Sequence, residues 1–305
     1  MTDHKTEQNR IFVECAKIPN PFGVWVDSFS AWFAQKWWTQ PIDTKYIYLP
    51  INWAACWYMS LHAPFTLENG IEITPEFRHH YLATMQGILN SLNPKFQYFT
   101  VADTRHTNRL TLPETITLTV FSGGGYNATE MTSQLDIRLF PLIHGTMDYG
   151  ANKERLKQKH LCFFPLGGSK HPLRGLCRDA LDGKKGCLVT EKLPLENYLE
   201  TLKRSMFAIC PRGDAPSSFR LFEAISCGTV PIYVSDQHIF PYGNIPDFVQ
   251  VVKPENINSI PELIHSFSNN QIEQMQRDMW AWSDEYLPKD NIYKRIIKEL
   301  DPNKQ

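Results

Sequence analysis

The sequence predicts an α/β protein of two domains, each built on a doubly wound parallel sheet, and three observations carry that expectation. The chain has 305 residues, past the size at which one hydrophobic core stops growing, so two domains of about 150 residues each, with a cleft between them, are expected. Runs rich in β-branched and aromatic residues alternate with amphipathic stretches, the pattern of strand–helix–strand units. The alternation is clearest in SMFAICPRGDAPSSFRLFEAISCGTVPIYVSD at 205–236, where strand, loop, helix and strand follow one another.

Taken in order, the first half has strand-like runs at 45–49, 96–101, 115–121 and 135–139. A helix is expected over 75–92, opened by Thr74 as N-cap and Pro75 at the first helical position. The aromatic clusters WFAQKWW at 32–38 and INWAACWYM at 51–59 read as core, with Trp53 and Trp57 at an aromatic-rich strand end. The second half alternates strands at 160–164, 186–189, 206–210 and 230–234 with helices at 173–181, 195–204 and 218–227. Amphipathic helical stretches fill 260–300. The polar, glycine-containing segment 145–154 marks the boundary. It separates an N-terminal domain, 1–150, from a C-terminal domain, 151–305, whose last helices are candidates for packing back on the first.

Composition narrows the function. With 42% apolar and 21% charged residues the chain is ordinary globular protein. Lys plus Arg number 31 against 32 Asp plus Glu, so no overall field draws it onto nucleic acid or an anionic membrane. No apolar run reaches the 18 or so residues of a membrane helix, and the start MTDHKTEQNR lacks the core of a signal peptide, so a cytoplasmic location is expected. Seven scattered cysteines with no C-x-x-C pair read as core residues rather than a disulfide or zinc framework. His79 and His80 point in different directions from one helix and need no ligand.

The 205–236 segment holds the chemistry. Ligands of open parallel sheets sit beyond the carboxyl ends of the strands, where the loop 211–217 and Asp236 fall. Ser217 or Ser218 suits the N-cap of the following helix, whose free amides and dipole favour phosphate. Arg212 and Arg220 flank that start with guanidinium forks, so a diphosphate fits. Glu223, three residues beyond Arg220, shares its helix face, either to accept hydroxyls of a ribose or sugar or simply to pair with Arg220. Gly228 closes the helix.

CPRG at 210–213, SSFRLFEAISCGTVPIYVSD at 217–236 and PY at 241–242 resemble the signature of the exostosin family of glycosyltransferases. The similarity runs from about 160 to 286 and includes FFPLGGSKHPLRGLCRDAL at 163–181 and WAWSDEYL at 280–287. QYFTVADTRH at 97–106, LPETITLTVFSGGG at 112–125 and DIRLFPLIH at 136–144 extend it more weakly.

The resemblance implies two Rossmann-like domains facing across a cleft, the GT-B arrangement, and inverting transfer from a UDP-sugar to a glycan acceptor. It implies Arg178 as a further donor-binding arginine, with Arg174 its substitute one turn earlier, beside Arg212, Ser218, Arg220 and Glu223. The absence of an Asp-x-Asp pair fits a reaction without metal or other cofactor. Family members in animals carry an N-terminal membrane anchor; a chain without one is expected to be a stand-alone, bacterial-like or viral-like form.

Inversion needs a general base, and Asp103 at a strand end is the candidate, though it serves equally well as a loop cap. Asp136 and Asp27 are lesser candidates. The glycines at 123–125 can either admit a donor or mark a turn. Two other readings stay open: a different GT-B transferase, fucosyl or retaining, and a silent nucleotide- or glycan-binding partner of an active transferase.

Overall fold

Short polar side chains start several of the helices. The structure, a computed structural model, describes residues 3–18, 29–40, 44–60, 65–66, 72–103, 110–125, 133–143, 160–166, 171–213 and 215–302, with backbone alone at 57–58, 65–66 and 160. Helix α1 (His4–Ala16) opens on Asp3, whose carboxylate accepts from Thr6 N at 2.6 Å. Helix α2 (Phe29–Thr39) buries Phe29, Phe33 and Trp37, spaced four apart on one face. After strand β1 (Tyr46–Tyr48) comes α3 (Trp53–Met59). The aromatic run at 51–59, which reads as core, thus carries a helix. Asn52 Oδ1 accepts from Ala55 N at 2.9 Å, a cap signal that the aromatic composition masks.

The antiparallel pair β2 (Phe65–Thr66) and β3 (Glu72–Ile73) leads to α4 (Pro75–Asn90), capped by Thr74 as the sequence predicts. Strands β4 (Gln97–Ala102), β5 (Leu118–Ser122) and β6 (Leu135–Leu139) follow. The second half runs β7 (His160–Pro165), α5 (Pro172–Leu181), β8 (Cys187–Thr190), α6 (Leu195–Lys203), β9 (Ser205–Pro211), α7 (Phe219–Ser226), β10 (Val230–Val234), β11 (Gln250–Val252), α8 (Ile260–His265), α9 (Asn269–Tyr286) and α10 (Lys289–Leu300). Helix α9 begins with a full capping box between Ser268 and Gln271.

The chain divides into two units, Met1–Phe140 with His144–Thr146 and Tyr293–Gln305, and Pro141–Ile143 with Met147–Ile292. The first holds the parallel sheet β1-β4-β5-β6. Over it lies an aromatic core in which Phe33 and Trp37 meet Tyr48 and Phe99 at ring distances of 5.1 to 6.1 Å. Tyr293 of α10 belongs to this unit and packs on Phe33 at 5.0 Å. Trp53 is core too, its indole N–H donating to Thr100 Oγ1 at 2.9 Å.

The second unit holds the parallel sheet β11-β10-β9-β7-β8. Its order reverses at β7: β8 lies on one side and β9 on the other, so right-handed crossovers place helices on both faces. This is a doubly wound sheet. Such a reversal opens a crevice beyond the strand ends, here between β7 and β9. Gly228 adopts φ 68°, and a Cβ there would lie 2.8 Å from the Trp280 ring, so glycine is required by both conformation and space. All seven cysteines are free, and five are buried. Among the described residues no helix is long and apolar enough to cross a membrane.

Candidate functional site

Strands β9 and β10 run parallel, with Pro211 opposite Val234, so the residues that follow emerge together at one sheet edge. Arg212 N donates to Val234 O at 2.9 Å and prolongs the ladder by one bond. Its side chain is 4% exposed, and the guanidinium donates to Asp236 in a hydrogen-bonded ion pair. Burial alone would raise the Asp236 pKa. The hydrogen bond and charge of Arg212, with a smaller contribution from His171, outweigh it and hold the carboxyl below its ordinary range.

The loop then turns into α7, and Tyr233 of β10 anchors it. The Tyr233 hydroxyl, fully buried, donates to Pro216 O at 2.8 Å and lies 3.3 Å from the carbonyls of Gln237 and Ile239. Ser217 and Ser218 follow, 6% and 5% exposed. Ser218 occupies the N-cap position with extended backbone, as expected, but its side chain makes no cap bond. The Oγ atoms of both serines are buried with no hydrogen-bond partner among the described residues. A buried hydroxyl left so costs about 1–3 kcal/mol, and two adjacent ones at a helix start mark a place where a ligand oxygen belongs.

Arg220 and Glu223 share α7 but are met by different elements. The Arg220 guanidinium lies 5.3 Å from the Phe164 ring of β7 and reaches Ile209 O of β9 at 3.4 Å, so it bridges the two strands that flank the reversal point. Glu223 is 7% exposed and accepts from the Tyr198 hydroxyl of α6 at 2.5 Å. Sequence reasoning missed Tyr198. It stands twenty-five residues from Glu223 in the chain, inside a helix whose pattern gives it no special place.

Helix α5 presents Arg174, rather than Arg178, to this region. Arg178 is exposed and pairs with its neighbour Asp179 at 2.9 Å. Arg174 is half-buried. Burial pushes the Cys210 thiol of β9 up to about 12, and Arg220 and then Arg174 are the cations close enough to oppose it. The rotation of α5 thus turns Arg174 towards β9 and Arg178 towards solvent.

In the first unit Asp103 follows β4. Its Oδ2 accepts from Ser30 N at 3.0 Å and from Ser30 Oγ at 2.5 Å, so the carboxylate holds the first turn of α2. Asp136 is taken up by Arg138 at 2.9 Å and by the Thr119 hydroxyl. Asp27 lies outside the described residues, and of Trp57 only the backbone is described. The glycines 123–125 are buried after β5, with Gly125 at φ 74°. His79 and His80 are exposed on α4. Among the described residues no group of three or more His, Cys, Asp or Glu is placed to hold a metal ion.

A doubly wound sheet that gathers arginines, serine hydroxyls and a carboxylate at the ends of its strands defines a domain for an anionic, hydroxyl-bearing ligand. The chain belongs to the exostosin family of glycosyltransferases: residues 90–267, more than half of its length, match the Exostosin GT47 domain. That span contains Asp103 and the whole of 205–236. An Exostosin-1 homolog of Caenorhabditis elegans is 32% identical over 112 residues, 34% of this chain and 29% of that protein. A probable glycosyltransferase of Arabidopsis thaliana is 35% identical over 80 residues, 26% of this chain and 17% of that protein. The matched segments thus span less than a third of either relative. The crystal structure of a DNA-modifying β-glucosyltransferase covers 81% of this chain and 91% of its own at 13% identity, with a TM-score of 0.41.

Proposed function

We propose that this glycosyltransferase moves a sugar from a UDP-sugar to a hydroxyl of a glycan, with inversion and without a metal. The observation that carries the reading is the pair of buried, unpartnered hydroxyls of Ser217 and Ser218 at the start of α7, with Arg212 and Arg220 on either side in sequence. Diphosphate oxygens satisfy those hydroxyls, gain the positive end of the helix dipole and accept from guanidinium forks. As the glycosidic bond to the nucleotide breaks, charge grows on the leaving diphosphate, and these groups stabilise it where it develops. Arg174 supports the same charge from α5. Glu223 accepts hydroxyls of the donor. Asp103 is the base in this proposal, with its Oδ2 held by Ser30 while the carboxylate receives the acceptor's proton.

The test is thermal stability of the full chain against UDP, GDP, CMP and ADP, each without metal and then with magnesium. A nucleotide at about a hundred times its Kd adds roughly 2.7 kcal/mol. Selective stabilisation by UDP without magnesium is the expected result. Selectivity for GDP overturns the donor assignment in favour of a fucosyl-type transferase, a need for magnesium overturns metal independence, and indifference to every nucleotide overturns the enzyme reading. Product stereochemistry, read by NMR at the anomeric proton, tests inversion.

A further inference from the structure

A carboxylate that is 7% exposed keeps its charge only if donors replace its water. Glu223 has such a donor in Tyr198, and the 2.5 Å separation lies in the range of charge-assisted O–H···O⁻ bonds. The donor comes from outside the loop and helix that carry the rest of the site. Tyr198 stands on α6 with its ring 6.0 Å from Phe163 of β7, so its hydroxyl is located by the sheet rather than by the ligand. A carboxylate offers about four acceptor positions. Tyr198 fills one and sets the plane of the group.

We propose that Tyr198 is a positioning residue whose hydroxyl presets the Glu223 carboxylate to accept a vicinal diol of the donor, on its ribose or on its sugar. The proposal rests on the donor-site reading of Glu223 given above. Without Tyr198 the carboxylate loses the donor that the sheet locates, and more of its ordering falls to the moment of binding. Burial first, then the charge of Glu223, hold the phenol well above its ordinary pKa, so it remains a proton donor at any working pH.

The experiment is calorimetric titration of the full chain with UDP and with UDP-glucose, for the wild type, Y198F, E223Q and the double variant. Phenylalanine keeps the ring on Phe163, and a thermal melt without ligand checks the fold. Y198F is expected to weaken binding about tenfold, E223Q at least as much, and the double variant no more than E223Q alone, because the two side chains act through one contact. Loss with both ligands places the diol on the ribose; loss with UDP-glucose alone places it on the sugar. A packing defect at Tyr198 would instead weaken binding independently of residue 223, so the coupling in the double variant separates the two roles.

Additive losses, or an unchanged Y198F beside a weakened E223Q, overturn the role of Tyr198. An E223Q variant that binds both ligands like the wild type overturns the donor-site reading instead. Should Y198F fail to fold, Y198W in the same titrations, alone and combined with E223Q, replaces it, and losses that add overturn the proposal.

Discussion

Arg212 and Asp236 join the carboxyl ends of β9 and β10 through an ion pair in which the guanidinium is buried and the carboxylate is half exposed. The partner that loses its water is the cation. Replacement of the other, D236N, therefore leaves a buried charge with weaker support, and a loss of about 1–2 kcal/mol is expected. Because the folded-state pKa of Asp236 is depressed, its stabilisation is present above the ordinary carboxylate value of about 3.9 and disappears as pH falls through the depressed one. Urea melts of wild type and D236N across pH should differ by a constant amount near neutrality and converge in acid. A gap that does not narrow as the pH falls below the ordinary carboxylate range contradicts the pairing.

Ser217 and Ser218 set binding against stability. Their hydroxyls are buried without a partner among the described residues, and Ser218 contributes no cap bond. Alanine at either position removes a desolvated polar atom and sacrifices no bond. S217A and S218A are expected to be as stable as the wild type or more so, by up to about 1 kcal/mol, yet to bind UDP roughly fivefold to tenfold more weakly. A destabilised variant with normal UDP affinity would show that the hydroxyls serve the fold.

Tyr233 holds the loop before those serines from beneath. Y233F leaves Pro216 O, and the nearby carbonyls of Gln237 and Ile239, without their common donor. One buried hydrogen bond is worth about 1 kcal/mol, a fall that a thermal melt resolves. The loop then pays for its order when donor binds, so KM for the donor should rise several-fold with kcat little changed. An equal fall in kcat would place Tyr233 among groups that act on the transition state.

Asp103 separates two roles by choice of substitution. Asparagine still offers an amide oxygen to Ser30 N and Oγ, so D103N should keep α2 in place and lose at most a few tenths of a kcal/mol. Alanine removes the cap to α2 and should cost about 1–2 kcal/mol. A general base cannot be replaced by an amide, so D103N is expected to bind UDP normally and turn over at least a hundredfold more slowly. Turnover close to wild type in D103N would leave Asp103 as the cap of α2 alone.

Much of the second unit was legible because its signals are local. Between 205 and 236 each element announces itself within a few residues, and the parallel alternation then forces Arg212, Ser217, Ser218 and Asp236 to the same sheet edge. The first unit was harder. Its aromatic runs fit strand and helix alike, and α3 formed because Asn52 caps it, a single side chain against a composition that suggests sheet. Strand β11 and the antiparallel pair β2–β3 carry too few residues to stand out.

By itself, then, the chain's order of residues determined the βαβ unit, the glycine at 228 and the cluster of arginine, serine and carboxylate around α7, since all depend on spacing along one strand–loop–helix segment. The tertiary structure decided which arginine of α5 faces β9, because two residues one turn apart are distinguished by the rotation of the helix rather than by their pattern. It also decided that the Tyr198 hydroxyl donates to Glu223. Elements far apart in sequence meet only where sheet order and packing bring them, and a partner twenty-five residues away leaves no periodic trace.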